Sequence, residues 1–420
     1  MIKTSICILL GMMFLTGCSI EAFKARNKSA YLEFLEKRSE RLGRIETGLP
    51  SLSFDGRLMV FDAKMTLLPK GEDGTFTRLL VLYDFETQEF DLIAPYGDQI
   101  GFHSPSFNRN SDKLVMVSEC EDYRKCAENI RGNQIVLYDL KTHKIDWLTD
   151  NSKKVSLRTN WTLKSKKPFM YPSTQVVRGY PIFGPTENEV IYFAGSERFL
   201  STYFSRRQKG DATLKKLSKT GDPNTPWKEE LLINDPDQYG FFVTAGPISI
   251  MRNKRLLFSA YKLKTNVKTI LSKESVNAFF YDFATDQLSI AFDEANTPVD
   301  TLEKEEKRRV FAYWHMSDAK GDRVIFTSSN SRFLTIQDKG AQRKLLFLQE
   351  LGLSGVRGIS MSGNGQWMVL TPPEFVVKDT DDLNYFWRIN LDTNERQKFP
   401  FRKEILNLIR ENFKTGETQK

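Results

Sequence analysis

Serine, histidine, cysteine and arginine are the side chains of this 420-residue sequence whose spacing invites a chemical reading. Gly358-Ile-Ser360-Met-Ser362-Gly363 sets a serine between glycines in the manner of a nucleophile elbow. That elbow needs a second glycine where Ser362 stands, and the same residues also read as a turn. The chain has three histidines, His103, His143 and His315, too few for a His-rich metal site. Cys120 and Cys126 lie six apart in a polar stretch, and a metal site would need further ligands at suitable spacing. A His-Glu-x-x-His pair, a phosphate-binding loop and a dinucleotide fingerprint are all missing. The sequence therefore assigns no catalytic residue, metal or cofactor, and the motifs favour a non-enzyme.

Composition bounds what must position these residues. With 40% hydrophobic residues and 31 Phe, 14 Tyr and 6 Trp, the chain can fill a large core, so it is not disordered as a whole. The long uncharged apolar run is at the N-terminus, Ser5 to Leu15, after Lys3. A basic start, about ten apolar residues and small residues before a cut describe a signal peptide over 1–17. The ending Leu15-Thr16-Gly17-Cys18 resembles the bacterial lipobox. The resemblance implies a cut before Cys18, acylation of that cysteine, and stable membrane attachment through several lipid chains. Ser19 in place of Asp implies, by the Gram-negative sorting rule, an outer-membrane lipoprotein facing the periplasm, with the cell surface as the alternative. In that oxidising compartment Cys120 and Cys126 are expected to pair, clipping a loop and contributing about 2–3 kcal/mol. Loss of Lys3 with the signal takes the formal charge from +8 to +7. Outside the cytoplasm, that charge points to an acidic protein, an anionic lipid surface or an anionic glycan rather than nucleic acid.

Internal repeats decide the expected fold. A Pro or small residue, a turn and an apolar strand recur in Pro50–Phe61, Pro105–Val117, Pro181–Phe193 and Pro247–Phe258, and more weakly in Trp314–Phe326 and Gly358–Leu370. A second turn recurs at Tyr83-Asp-Phe-Glu-Thr87, Tyr138-Asp-Leu-Lys-Thr142, Tyr281-Asp-Phe-Ala-Thr285 and Ile389-Asn-Leu-Asp-Thr393, with Gln337-Asp-Lys-Gly340 as a fifth version. Asp, Asn and Thr side chains bond nearby backbone groups and suit tight turns between antiparallel strands. Each unit reads as four antiparallel strands, and six units make an all-β, six-bladed β-propeller over 50–401. The two turns resemble the WD40-like repeats of TolB-type propellers, over roughly residues 50 to 400. The Ser-Pro-Asp-Gly core of that family is degraded in every copy, and the stretch between Cys18 and the first blade is too short for TolB's N-terminal domain.

Around the propeller, 18–49 reads as anchor, tether and a helix from Ser29 to Ile45. Residues 402–420 read as a C-terminal helix and tail, and a charged helix opens at Thr297-Pro298. Residues 151–179 read as an irregular basic insertion. Long loops between second and third strands carry Arg78, Arg124, Arg131, Arg198, Arg206 and Arg207. Guanidinium forks there suit carboxylates and phosphates, although a solvated basic surface has the same composition. His103 and His315 sit where the chain enters blades two and five, opposite each other in a six-bladed ring, facing the channel or serving the scaffold. The expected function is a non-catalytic binding or scaffolding module for envelope proteins. The alternative is a lyase, hydrolase or receptor for an anionic polysaccharide, with Trp161, Trp227 or Trp387 as stacking platforms.

Overall fold

The computed structural model describes residues 44–66, 76–93, 100–120, 133–149, 157–160, 169–172, 176–196, 212–220, 225–233, 241–243, 249–251, 254–262, 276–292, 315–327, 333–338, 344–353, 358–371, 374–376 and 385–400. All of these but Arg44 and Thr66 belong to one compact unit, residues 45–65 with 76–420. That unit is a six-bladed propeller of antiparallel sheets, each with four strands, A to D, running outward from the axis.

Blade one takes its A strand in two pieces, Arg44–Thr47 and Ser51–Leu52, followed by Leu58–Thr66, Phe76–Asp84 and Phe90–Ile93. Blade two is Ile100–Phe107, Lys113–Cys120, Asn133–Asp139 and Ile145–Trp147. Blade three is Val176–Phe183, Glu189–Ser196, Ala212–Ser218 and Lys228–Ile233. Blade four again splits its A strand, Phe241–Val243 and Ser249–Ile250, before Arg255–Lys262, Val276–Asp282 and Gln287–Phe292. Blade five is His315–Ser317, Arg323–Thr327, Phe333–Asp338 and Lys344–Phe347, and blade six Gly358–Met361, Trp367–Thr371, Tyr385–Asn390 and Arg396–Pro400. No α-helix occurs among the described residues, and none is long and apolar enough to cross a membrane. The helices expected at the N-terminus, after Thr297 and at the C-terminus lie outside the described residues. The last two residues expected in the first of them, Arg44 and Ile45, belong instead to a strand, Arg44–Thr47, paired with Ala63–Met65. The insertion expected to be irregular contains an antiparallel hairpin, Leu157–Asn160 with Phe169–Pro172.

Why the B strands are apolar without interruption follows from the stacking of blades. Successive side chains of a strand point to opposite faces, and in a propeller both faces are covered. In blade two, Leu114 and Met116 join Val60, Leu80 and Ile93 of blade one, while Val115 and Val117 join Val190 and Tyr192 of blade three. Ile191 and Phe193 face Leu256 and Phe258 of blade four, and Ile325 and Leu334 of blade five meet Ile359 and Met368 of blade six. Each such fully buried side chain contributes about 1.5–3 kcal/mol. A one-residue slip would send each set to the wrong neighbour, so register is strongly specified.

Both turn motifs fold as their residues dictate. The position opening the A–B turn is Ser53, Asn108, Asp318 or Ser362, and each side-chain oxygen accepts the backbone N–H that begins the B strand, as Ser53 Oγ does from Leu58 at 2.8 Å and Ser362 Oγ from Trp367 at 2.9 Å. In the C–D turns, Asp84, Asp139, Asp282 and Asn390 each accept N–H bonds from the residues two and three further on. Burial pushes Asp84 up, but the Arg57 guanidinium at 2.7 Å and then these bonds outweigh it and hold the carboxyl below its usual range, while Asp139 is held low chiefly by its bonds to Thr142. The residue four places after each Asx, Gln88, His143, Asp286 or Asn394, takes the left-handed conformation that lets the D strand begin.

The four strands A to D of blade one come from the start of the propeller sequence and those of blade six from its end, so none of these strands is exchanged where the ring closes. Side chains seal this seam instead. Tyr83 and Phe85 of blade one pack edge-on against Phe386 and Phe399 of blade six at centroid distances of 5.0–6.2 Å. Arg388 lies between Trp367 (3.8 Å) and Phe85 (4.5 Å) and donates to the carbonyl of Gly56 at 2.9 Å. Burial draws its guanidinium below the ordinary arginine value. Glu374–Val376, from the B–C connection of blade six, adds a strand to Arg44–Thr47 of blade one. Gly358 permits the approach, because a Cβ there would lie 2.2 Å from Pro50 Cδ.

Candidate functional site: the axial cavity

A cavity of about 740 Å³ lies on the axis, lined by the A strand of every blade. It opens among the A–B turns, where Phe54, Arg109, Asn110, Thr186, Glu187, Ala319 and Gly363 contribute to its wall. The B–C loops start from the opposite ends of the B strands.

The shape of this cavity is set by a bulge that recurs in blades one to three. In blade two His103 pairs with Val117 and Ser106 with Val115, so Ser104 and Pro105 together face Met116. In blade three Tyr180 and Pro181 together face Tyr192. In blade one Thr47 pairs with Ala63, the Gly48 N–H donates to the Asp62 carbonyl, and Ser51 pairs with Val60, which leaves Leu49 and Pro50 opposite Phe61. The recurring proline has a physical reason, since a bulge residue has no ladder bond to donate. Ser104 (φ 52°) and Tyr180 (φ 50°) stand in left-handed backbone, an uncommon conformation for serine and strained for tyrosine. All six bulge residues line the cavity, and blades one to three supply most of its wall. Over their described residues, His315–Ser317 and Gly358–Met361, the A strands of blades five and six pair without a register shift.

Serines two places before the A–B turn stitch the wall together. Ser51 Oγ accepts the Phe107 N–H of the next blade at 3.3 Å, Ser249 Oγ that of Ser317 at 3.3 Å, and Ser360 Oγ that of Leu52 at 2.9 Å. Each bond satisfies a donor on the inner edge of an A strand, which has no strand beside it. The turns are linked as well. Ala319 N–H donates to the Gly363 carbonyl, Asn364 N–H to Phe54, Phe54 N–H to Ser111 Oγ, and Asn110 Nδ2 to Glu187 Oε1 at 2.9 Å. Glu187 is the one carboxylate among the described lining residues, and it also accepts from Asn108 at 3.2 Å and faces Lys113 at 3.8 Å. Arg109, exposed at the rim, lies 5.8 Å from the Phe54 ring centroid.

The serines of the Gly358–Gly363 motif serve the turn and the seam. Ser362 Oγ donates to Asn364 Oδ1 at 2.6 Å and caps the turn, while Ser360 Oγ holds Leu52. Among the described residues no group of three or more His, Cys, Asp or Glu could hold a metal ion. Trp227 and Trp387, expected as stacking platforms, pack against inter-blade cores, and Trp161 lies outside the described residues.

Of the expected ligand-face residues, the structure brings two together. Arg78 Nε lies 3.4 Å from Glu119 Oε2 and its Nη1 3.7 Å from Asp62 Oδ2, and His103 Nε2 lies 4.0 Å from Glu119 Oε2. His103 is five residues before the residue opening its A–B turn and His315 three before its own, so the two histidines do not hold equivalent places in their blades. Arg124, Arg131, Arg198, Arg206, Arg207 and Cys126 lie outside the described residues, as does the Cys18 lipidation site, and the side chain of Cys120 with them.

Sequence reasoning missed a buried ionic group that supports the wall from behind. Arg178, 2% exposed on the A strand of blade three, donates to the Asn133 carbonyl of blade two at 2.7 Å, with Glu229 3.9 Å away. Glu229 accepts from Tyr192 and from Lys215 at 3.0 Å. Burial pushes the Glu229 carboxyl up, but these donors and the nearby cations outweigh it and hold the group below its usual range. Burial and the adjacent carboxylate raise Tyr192 well above an ordinary phenol.

No protein-family model matches the sequence, and no curated protein matches it. Similar solved structures include TolB from Acinetobacter baumannii, 10% identical with a TM-score of 0.39 over 72% of this chain and 54% of that one. The chain thus spans about half of that TolB. The β-propeller domain of the Trilobed protease from Pyrococcus furiosus is 13% identical, with a TM-score of 0.43 over 86% and 98% of the two chains. A Penicillium chrysogenum α-L-arabinanase complexed with arabinobiose is 8% identical, with a TM-score of 0.44 over 86% and 94%. At these values the likeness concerns the fold alone, and the six-bladed architecture of this chain rests on its own strand pairing.

Proposed function

We propose that this chain is a non-catalytic binding module of the cell envelope, held to the membrane by lipid on Cys18, which receives a protein partner at the axial cavity. One observation carries the reading: three serines and the carboxylate that line the cavity and could have done chemistry are engaged in holding the wall. Ser51, Ser249 and Ser360 bind backbone N–H groups of the following blade, and Glu187 is held by two asparagines. What faces the cavity is a fixed, nearly neutral mixture of proline, phenylalanine, methionine, serine and asparagine. Such a surface suits many moderate contacts with a polypeptide.

The test is crosslinked co-purification of the full-length protein from its own membranes, beside Arg109→Glu at the cavity rim and Arg206→Glu/Arg207→Glu in the basic loop. Loss of a stoichiometric envelope protein in the rim variant alone supports the proposal. Loss in the loop variant alone moves the contact to the other end of the propeller. Turnover of an anionic polysaccharide by purified protein would sink the non-catalytic reading. Anchoring is checked separately, since Cys18→Ala is expected to leave the membrane fraction.

A further inference from the structure

We propose that His103 is a proton-operated switch that couples the interface between blades two and three to the wall of the axial cavity. His103 pairs with Val117 on the face of blade two that packs on blade three. Glu119 lies two residues beyond Val117 on that face, and Asn133 stands opposite Glu119. The ring is 15% exposed, and its two nitrogens meet different surroundings. Nδ1 lies 3.0 Å from Ser104 Oγ. Nε2 lies between Asn133 Nδ2 at 3.5 Å and Glu119 Oε2 at 4.0 Å.

Those two neighbours favour opposite protonation states. An amide nitrogen only donates, so Asn133 holds a neutral ring whose Nε2 accepts. A carboxylate only accepts, so Glu119 holds an imidazolium whose Nε2 carries a proton. Protonation therefore turns the Asn133 contact from attractive to repulsive and the Glu119 contact into a charge-assisted hydrogen bond. Other charges among the described residues bear on the balance. Arg78 from blade one competes for Glu119 at 3.4 Å and is itself shared with Asp62, and Arg178 from blade three holds the Asn133 backbone carbonyl. Nδ1 remains a donor to Ser104 in both states, so movement of the ring toward Glu119 pulls on Ser104. Ser104 is a left-handed bulge residue of the cavity wall, and its neighbour Pro105 lines the cavity too. The switch requires nothing about the identity of the ligand.

With three histidines in the chain, selective labelling of histidine in the full-length protein gives three ring signals by NMR, and His103→Gln identifies one of them. The His103 ring is expected to titrate between about pH 5 and 8. Glu119→Gln is expected to lower its midpoint and Asn133→Ala to raise it, each by about half a pH unit or more. Hydrogen exchange in residues 100–107, corrected for intrinsic rates, is expected to change between neutral and acid conditions in the wild type, and to lose that change in His103→Gln and Glu119→Gln. A ring that does not titrate in this window, midpoints that move the same way in both variants, or an exchange change that survives His103→Gln would each overturn the proposal.

Discussion

Blades one to three and blades five and six are built from the same four-stranded unit, yet they treat their inner strands differently. In the first group each A strand bulges at a proline and pushes Leu49, Ser104 or Tyr180 toward the axis. In the second the described parts of the A strands, His315–Ser317 and Gly358–Met361, run straight, and the polar atoms that stand out serve cohesion, as when Arg323 ties Asp338 to Gly365 and Asp392 across blades five and six. The contrast teaches that the propeller divides its labour around the ring. One half accepts irregular backbone to shape a cavity, and the other half supplies the regular packing that keeps the ring shut.

Four substitutions test that division, in order of expected effect. Phe386→Ala, at the fully buried centre of the seam, is expected to cost about 3–5 kcal/mol in chemical denaturation. A loss below about 1 kcal/mol would show that the seam does not hold the ring. Ser360→Ala removes the acceptor for a buried Leu52 N–H and is expected to cost about 1–3 kcal/mol by the same measurement. Glu229→Gln, in the bulged half, is expected to cost about 1–2 kcal/mol near neutral pH. Because the native carboxyl sits below its ordinary range, that difference is full above the unfolded value of about 4.3 and shrinks as the pH falls below it. Denaturation curves of wild type and variant should therefore converge in acid. Ser51→Ala, the counterpart of Ser360→Ala in the bulged half, is expected to cost about 0.5–1 kcal/mol, since its bond is longer and partly exposed. Equal losses for Ser51 and Ser360 would erase the distinction between the halves.

Much of the fold was legible because its signals are local. Runs such as Lys113-Leu-Val-Met-Val117 announce a strand covered on both faces, and the Asp-x-x-Thr turns fold on their own side-chain bonds. Six units could be counted for that reason. The candidate site was not legible in the same way. Its wall is assembled from short segments of all six blades between Leu49 and Gly363, so no single window of sequence shows it. Pro50, Pro105 and Pro181 were conspicuous as the start of a turn motif, but only strand register reveals them as bulge residues. Net charge directed attention to the loop arginines, whereas the cavity wall is nearly neutral. Its serines carried no motif, because accepting an N–H from the next blade depends on a neighbour far along the chain.

The closure without an exchanged strand has a consequence for how this molecule comes into being. Where a propeller borrows a strand from its other terminus, the first blade waits for the last residues before it is complete. Here the strands A to D of every blade come from one stretch of chain, so blade one can form those four strands while the sequence of blade six is still unmade, and only the added strand Glu374–Val376 arrives late. Order of synthesis and order around the ring coincide. The joining of Phe85 with Phe386 and of Gly56 with Arg388, with the addition of Glu374–Val376 to blade one, becomes a final docking event. The same independence gives the ring no obligatory starting blade, so a chain whose ends were joined and reopened between any two blades would contain the same six units.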